Sequence, residues 1–282
     1  MHNSEITPKV NIGERISYPL SNDDSAYVNM ISSDDAMLKM AMKFYHQSIS
    51  SNVRATQYIE ERGIFNSEVI SHFNLGFSDR TLGLQLQKLS EGQEEISRGT
   101  LQRLGLFKSS GHELFYGAIT FPIANQGGDI VGCYGRRVTP KLGARSRYYV
   151  HWKTQGVGFF NIQALETNEQ LIFCKNPIDA LSWWVHGFAH VISTIGSSDF
   201  NEQHAKLLKD NSIKTIYLAM GTTKNTLIEA RRIAKLLKKK RIAVMLVLYP
   251  NGFDANSFIT QEINPKDELQ QLLNSSHRYM VN

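Results

Sequence analysis

Apolar residues return at Met37, Met40, Ala41 and Phe44, a spacing of i, i+3, i+4 and i+7 that predicts an amphipathic helix starting near Asp35. Further helices are predicted over ATQYIEER, closed by Gly63 just past its end, over SEVISHF and over GTLQRLGLF. The period then shortens. GAITFPIA and DIVGCYGRRV read as two strands, and the NQGG between them marks a hairpin. Residues 1–34 sustain no period, carry Pro8, Pro19 and a polar run at 21–25, and are expected to form a loosely ordered arm.

From Gln170 short apolar strands alternate with amphipathic helices. LIFC is followed by PIDALSWWVHG, ended by Gly187; HVISTI by NEQHAKLLKDN; KTIYLAM by TLIEARRIAKLLKKK; and IAVMLVLY closes the series. Four strands separated by three helices need crossover connections, which predicts a mainly parallel four-stranded sheet covered on both faces. The expected class is α/β: an arm at 1–34, an α+β subdomain of helices and hairpin at 35–165, an α/β domain at 166–262 and a C-terminal tail at 263–282. Ligands of such sheets bind beyond the carboxyl ends of the strands, so chemistry is expected there. Within the first of these helices, Trp183 and Trp184 sit between apolar neighbours, and at least one of them is read as core.

Composition narrows the picture by exclusion. A chain of 282 residues, 41% hydrophobic and 20% charged, has material for two cores. Its two cysteines, Cys133 and Cys174, make neither a disulfide framework nor a four-cysteine zinc module. No apolar run approaches the ~18 residues of a membrane span, and the first 20 residues lack the pattern of a signal peptide. The expectation is a cytoplasmic protein with free thiols and no membrane partner. No phosphate-binding G-x-x-x-x-G-K-[ST] loop is present, and none of the nine histidines belongs to an H-E-x-x-H motif.

The net charge is only +5, but two stretches concentrate it. Residues 130–153 carry Arg136, Arg137, Lys141, Arg145, Arg147 and Lys153 with no carboxylate; residues 231–241 carry Arg231, Arg232, Lys235, Lys238, Lys239, Lys240 and Arg241, again with none. The rest of the chain is therefore acidic, and concentrated cation implies a polyanionic partner. In the first stretch Tyr134, Tyr148, Tyr149 and Trp152 are interleaved with the cations, pairing groups that bind phosphate with rings that stack on unpaired bases. Arg136, Arg137, Lys141, Arg145, Arg147, Tyr148, Trp152 and Lys153 are accordingly the candidate nucleic-acid residues. Arg231, Arg232, Lys235, Lys238 and Lys239, on the face opposite Ala230, Ile233, Ala234 and Leu237, form a secondary basic face. Thr226 and Glu229 have the spacing of a capping box at the start of that helix.

The order of these segments resembles the catalytic core of bacterial replicative primases and the primase-like Toprim proteins of mobile elements. YIEERGIFNSEVISHFNLGFSDR resembles the helical entry of the primase core, and FPIANQGGDIVGCYGRRV followed by TPK its strand pair and basic turn. LIFCKNPIDALSWWVHGF, STIGSS, IYLAMGTTKNTLIEARRIAKLL and LYPNGFDANSFI resemble successive pieces of a Toprim domain. The resemblance implies a single-stranded template held along the 136–153 segment, with single-stranded DNA or RNA as partner, and a helicase or other replication or mobile-element protein beside it.

It also implies a Mg²⁺-dependent polymerase, which needs a glutamate after the first strand and an Asp-x-Asp after the third. Those positions fall on Lys175, Gly221 and Thr223, and a further family acid falls on Asn256. Asp179 and Asp254 persist. Asp179 has a simpler reading, because Asn176 and Pro177 place it in the first turn of a helix, where an acid favours the dipole; Asp254 reads as a turn residue. The expectation is no catalytic residue, no bound metal or other cofactor, and a degenerate primase-like protein that binds nucleic acid or a replication partner. Two alternatives stay open: an active primase or Toprim nuclease with a displaced metal on Asp179, Asp199 and Asp254, and a regulatory protein-interaction module.

Overall fold

A computed structural model describes residues 34–89, 94–138 and 147–279. The arm expected at 1–34 therefore lies outside the described residues, apart from Asp34. The chain opens with α1 (Asp34–Ile49), α2 (Val53–Glu61) and α3 (Ser67–His72), then β1 (Gly76–Phe77), α4 (Leu82–Leu89) and α5 (Glu94–Arg103). Asn52 and Asn66 cap α2 and α3 through their side-chain oxygens, and Gly63, at φ +65°, turns the chain out of α2 as its position predicts.

The predicted hairpin is β2 (Ala118–Ala124) and β3 (Ile130–Arg137), but it sits in a larger sheet. The antiparallel order is β1-β2-β3-β4, with β4 (Tyr149–Lys153) on the edge next to β3. Alternation along β3 and β4 divides their side chains between two faces. Cys133 and Trp152 face α1, α4 and α5 in one core; Tyr134, with Ile119 and Phe121 of β2, faces the second half of the molecule in another.

That second half is β5 (Gln170–Cys174), reached through the short α6 (Ala164–Thr167), then α7 (Pro177–Trp184), β6 (Val191–Ser193), α8 (Glu202–Asp210), β7 (Thr215–Ala219), α9 (Lys224–Lys239) and β8 (Ala243–Leu246). Strands β6, β5, β7 and β8 are parallel, as the alternation requires. The sheet has a fifth strand. After α10 (Ala255–Ile259), the segment expected as a tail forms α11 (Pro265–Asn274), which buries Leu269, and β9 (His277–Arg278), which pairs antiparallel with β8 and closes that edge. Trp183 is fully buried and donates its indole N–H to Tyr249 Oη at 2.8 Å. Among the described residues no helix is long and apolar enough to cross a membrane.

Candidate functional site

The carboxyl ends of β5, β7 and β8 carry the positions where the resemblance asks for acids. Lys175 follows β5 directly, and its ammonium lies between two carboxylates: it is hydrogen-bonded to Asp254 and stands 3.6 Å from Asp179. Asp179 is held by the local fold. Asn176 caps α7 by accepting from Asp179 N–H at 3.1 Å and donates its own amide to Asp179 Oδ2 at 2.9 Å, while Pro177 fills the first helical position. Asp254 is more than a turn residue: it caps α10, accepting from Ser257 N–H at 2.9 Å in a reciprocal capping box.

The three charges do not share the site equally. Burial disfavours the Lys175 ammonium, but Asp179 and Asp254 outweigh it and raise the lysine above its ordinary value. Burial would also raise Asp254; Lys175 and the Ser257 hydrogen bonds overcome that and hold it low. At Asp179, only 2% exposed, burial wins over Lys175 and lifts the carboxyl to about 6. Lys175 and Asp254 thus form the dominant ion pair, with Asp179 as a buried acid behind it.

Gly221 and Thr223 are equally committed to structure. Gly221 has φ +90°, and a Cβ there would lie 3.2 Å from Phe253 O and 3.6 Å from Asp254 Cβ, so a side chain is strained and crowded. Thr223 is the N-cap of α9, its hydroxyl accepting from Thr226 N–H at 3.3 Å; the helix begins at Lys224, two residues before the predicted box at Thr226. Thr226 Oγ1 instead donates to Gly221 O at 3.0 Å. This donor set does not fit a divalent cation: an ammonium occupies one acid position, no side chain the second and a capping hydroxyl the third. Among the described residues no three His, Cys, Asp or Glu side chains gather as a metal site.

Asn256 joins the two halves at this place. Its amide donates to Arg62 O at 2.8 Å and Ser182 Oγ at 3.0 Å, its oxygen accepts from Arg62 Nη1 at 3.0 Å, and its backbone N–H donates to Asp179 Oδ1 at 3.1 Å. An aspartate would point two acceptors at the Arg62 carbonyl and Ser182, so the amide is the better fit.

Beside this edge runs a ledge of alternating cations and rings. Tyr58 and Arg62, one turn apart on the exit of α2, come first: Arg62 Cζ is 5.1 Å and Arg136 Cζ 5.9 Å from the Tyr58 ring, and Arg136 Nε donates to Tyr58 Oη at 2.9 Å. Arg136 then lies 5.5 Å from the ring of Tyr148. A second row runs Tyr149, His151, Tyr134, with centroids 5.3 and 5.6 Å apart. Tyr148 and Tyr149 are nearly half exposed. Burial lowers His151, making it a neutral ring at neutral pH, and its imidazole lies where a Cβ on Gly196 would meet it at 2.8 Å.

The structure redistributes the residues predicted for this surface. Arg136, Arg147, Tyr148 and Lys153 are at least partly exposed on or near the ledge, with Lys153 paired to Asp199 at 2.6 Å. Lys141 and Arg145 lie outside the described residues. Two expectations are corrected. Trp152 faces the helical core, is 7% exposed and donates its indole N–H to Leu104 O at 2.6 Å, because strand alternation turns it away from Tyr149 and His151. Arg137, next to Arg136, is turned the same way, is buried, and donates to Arg147 O at 2.8 Å. The secondary basic face is corrected at Arg232, which reaches inward to Phe200 O and Ser197 O at 2.7 and 2.9 Å. Lys239 pairs with Glu202 and Arg231 donates to Tyr279 Oη, while Lys235 and Lys238 are exposed. Sequence reasoning missed Tyr58, Arg62 and His151; the i, i+4 pair in YIEERG was the available signal.

An α/β sheet of Toprim type docked on a mixed helical and antiparallel unit defines the class of this protein. Residues 44–150 match the family model for the DNA primase catalytic core, N-terminal domain, and residues 172–259 match the Toprim-like model. The chain thus matches a primase-core N-terminal domain followed by a Toprim-like domain. It is 29% identical over 239 residues to a DNA primase of Buchnera aphidicola, covering 80% of this chain and 40% of that one. The Aquifex aeolicus primase structure (zinc-binding and RNA polymerase domains) superimposes with a TM-score of 0.72 at 21% identity, covering 87% of this chain and 61% of that one. A primase catalytic domain bound to single-stranded DNA superimposes at 0.70, with 18% identity and 89% and 81% coverage. The chain spans about half the length, or less, of the curated relatives it matches.

Proposed function

We propose that this chain is a catalytically degenerate primase-type protein that binds single-stranded nucleic acid on the ledge formed by Tyr58, Arg62, Arg136, Tyr148, Tyr149 and His151. The observation that carries the reading is the Lys175 ammonium between Asp254 and Asp179, at the sheet edge where metal-dependent phosphoryl transfer needs negative charge. The ledge supports the other half. Alternating guanidinium groups and exposed rings suit a flexible strand whose phosphates and bases are both accessible, and give affinity without sequence preference. A structural neighbour of this fold is described as bound to single-stranded DNA. We place the activity in cytoplasmic DNA replication or in maintenance of a mobile element, with a replication protein such as a helicase as the protein partner.

The test is a pair of titrations on the full chain. Mg²⁺ and Mn²⁺ should give no saturable heat, and a fluorescent oligo(dT) should bind equally in EDTA and in Mg²⁺. Saturable metal binding, or template-dependent primer synthesis lost in Asp179→Ala and Asp254→Ala, would overturn the reading in favour of a displaced metal site.

A further inference from the structure

On the opposite side of the β1–β4 sheet from the ledge, a second set of cations converges on one ring. Arg137 Cζ lies 4.6 Å, Arg80 Cζ 5.0 Å and Lys108 Nζ 5.5 Å from the centroid of Tyr116, and Arg98 Cζ lies 6.0 Å from the neighbouring ring of Phe107. Arg80, Arg98, Lys108, His112 and Tyr116 line a pocket of about 540 Å³, within the range of small-molecule sites.

Local structure builds this convergence. Lys108 N–H donates to His112 O and Gly111 N–H back to Lys108 O, both at 2.9 Å, closing a turn with Gly111 at φ +77° that lays Lys108 over Tyr116. Arg80 holds its side chain there from a left-handed backbone, φ +75°, a conformation glycine adopts at lower cost.

Among the described residues the charges of Arg80 and Lys108 are not answered from within. Glu113, the acid of the lining, turns inward, accepting from Ser78 Oγ at 2.6 Å and Leu82 N–H at 3.0 Å. No carboxylate among the described residues lies within ion-pair distance of Arg80 or Lys108. Arg137, 7% exposed, stacks on Tyr116 but does not itself line the pocket. Exposed like charges held together around one ring call for an oxyanion carrying several acceptors.

We propose that this pocket binds the phosphate chain of a polyphosphate ligand, with Arg80 and Lys108 as its principal contacts and Tyr116 as the wall that orients them. The phosphate chemistry has two sources, a free nucleoside triphosphate or consecutive phosphates of a strand, and a concave pocket of this size suits the first. The site is independent of the ledge, because alternation puts Arg136 on the other face of β3.

Sodium tripolyphosphate, ATP and oligo(dT) should each be titrated into the full chain by calorimetry in EDTA at low salt. Tripolyphosphate is expected to bind one per chain and to weaken at least tenfold in the Arg80→Gly/Lys108→Gln double variant. Arg136→Ala should leave it within twofold, and Lys108→Arg should retain it. Both altered residues are exposed, and glycine suits φ +75°, so the double variant should keep the wild-type melting temperature. ATP binding lost in the same variant identifies a nucleotide; tripolyphosphate and oligo(dT) binding lost there, with no ATP binding, identifies strand phosphates, and either upholds the site. Absence of tripolyphosphate binding, or equal binding by the folded double variant, overturns it.

Discussion

Arg62 and Asn256, 194 positions apart, are joined by two hydrogen bonds of opposite direction: Arg62 Nη1 donates to Asn256 Oδ1 at 3.0 Å, and Asn256 Nδ2 donates to Arg62 O at 2.8 Å. This fork couples the end of α2 to the start of α10, and so fixes the ledge against the edge of the parallel sheet. Asn256→Asp should lower stability by about 1–3 kcal/mol, because the Arg62 carbonyl loses its donor and faces an acceptor in a buried place. Arg62→Ala, which leaves the Asn256 amide donors in place, should cost less. Urea midpoints for both variants check the order, and a reversed order would mean that the guanidinium dominates the joint.

Lys175 answers two carboxylates, so its replacement should be felt in the absence of any metal. Lys175→Met should destabilise by about 3 kcal/mol, the cost of leaving partly buried charges unpaired. Lys175→Glu should cost more, through repulsion among three acids. An unchanged melting temperature in EDTA for both variants would show that the ammonium contributes nothing there.

Asp179 gives the cluster a pH signature. Its folded value of about 6 lies above the unfolded 3.8, so the native state holds extra proton between those values. Its contribution to stability therefore falls as pH rises from about 4 to about 6. Asp254 acts oppositely: held low, it contributes stability above the ordinary carboxylate range that is lost as pH falls through its depressed value. Lys175, raised, contributes below its unfolded value and loses that contribution only as pH rises through its folded one, in the alkaline range. Asp179→Asn should consequently gain on the wild type between pH 4 and 7 by about 3 kcal/mol, read from denaturant midpoints across that range. A constant difference would place the proton elsewhere.

Much of this was legible where a segment's local chemistry and its tertiary fate agree. The strand-helix alternation after Gln170 led to a parallel sheet because crossover geometry leaves little choice, and Asn176-Pro177 led to a cap because both residues act locally. Legibility failed where the outcome depends on a neighbour. YVHWK carries charge and polar rings, so it reads as surface; it becomes β4 because β3 offers an open edge. Once it is a strand, period two sends Trp152 inward and leaves His151 out, which the interleaved spelling of cations and aromatics does not reveal. Arg136 and Arg137 are separated by the same rule. The ion pairs of Lys175 needed Asp254, 79 positions away, to be brought to the same edge.

That division of faces reshapes the nucleic-acid prediction. Trp152→Ala should act on folding, costing about 3–5 kcal/mol as a large core truncation, with no selective loss of affinity in the protein that remains folded. Binding should depend on the exposed partners. Arg136→Ala with Arg147→Ala should flatten the slope of log K against log salt by roughly 1.4, about 0.7 for each phosphate contact removed on a single strand. Tyr148→Ala should cost about 1–3 kcal/mol while leaving the slope nearly unchanged, since stacking releases no counterion. Fluorescence anisotropy with oligo(dT) between 50 and 200 mM salt, conditions that spread such slopes, separates the two effects. Retention of the wild-type slope by the double arginine variant would move the strand off the ledge and onto the exposed lysines of α9, where Lys235 and Lys238 offer the next continuous cationic surface.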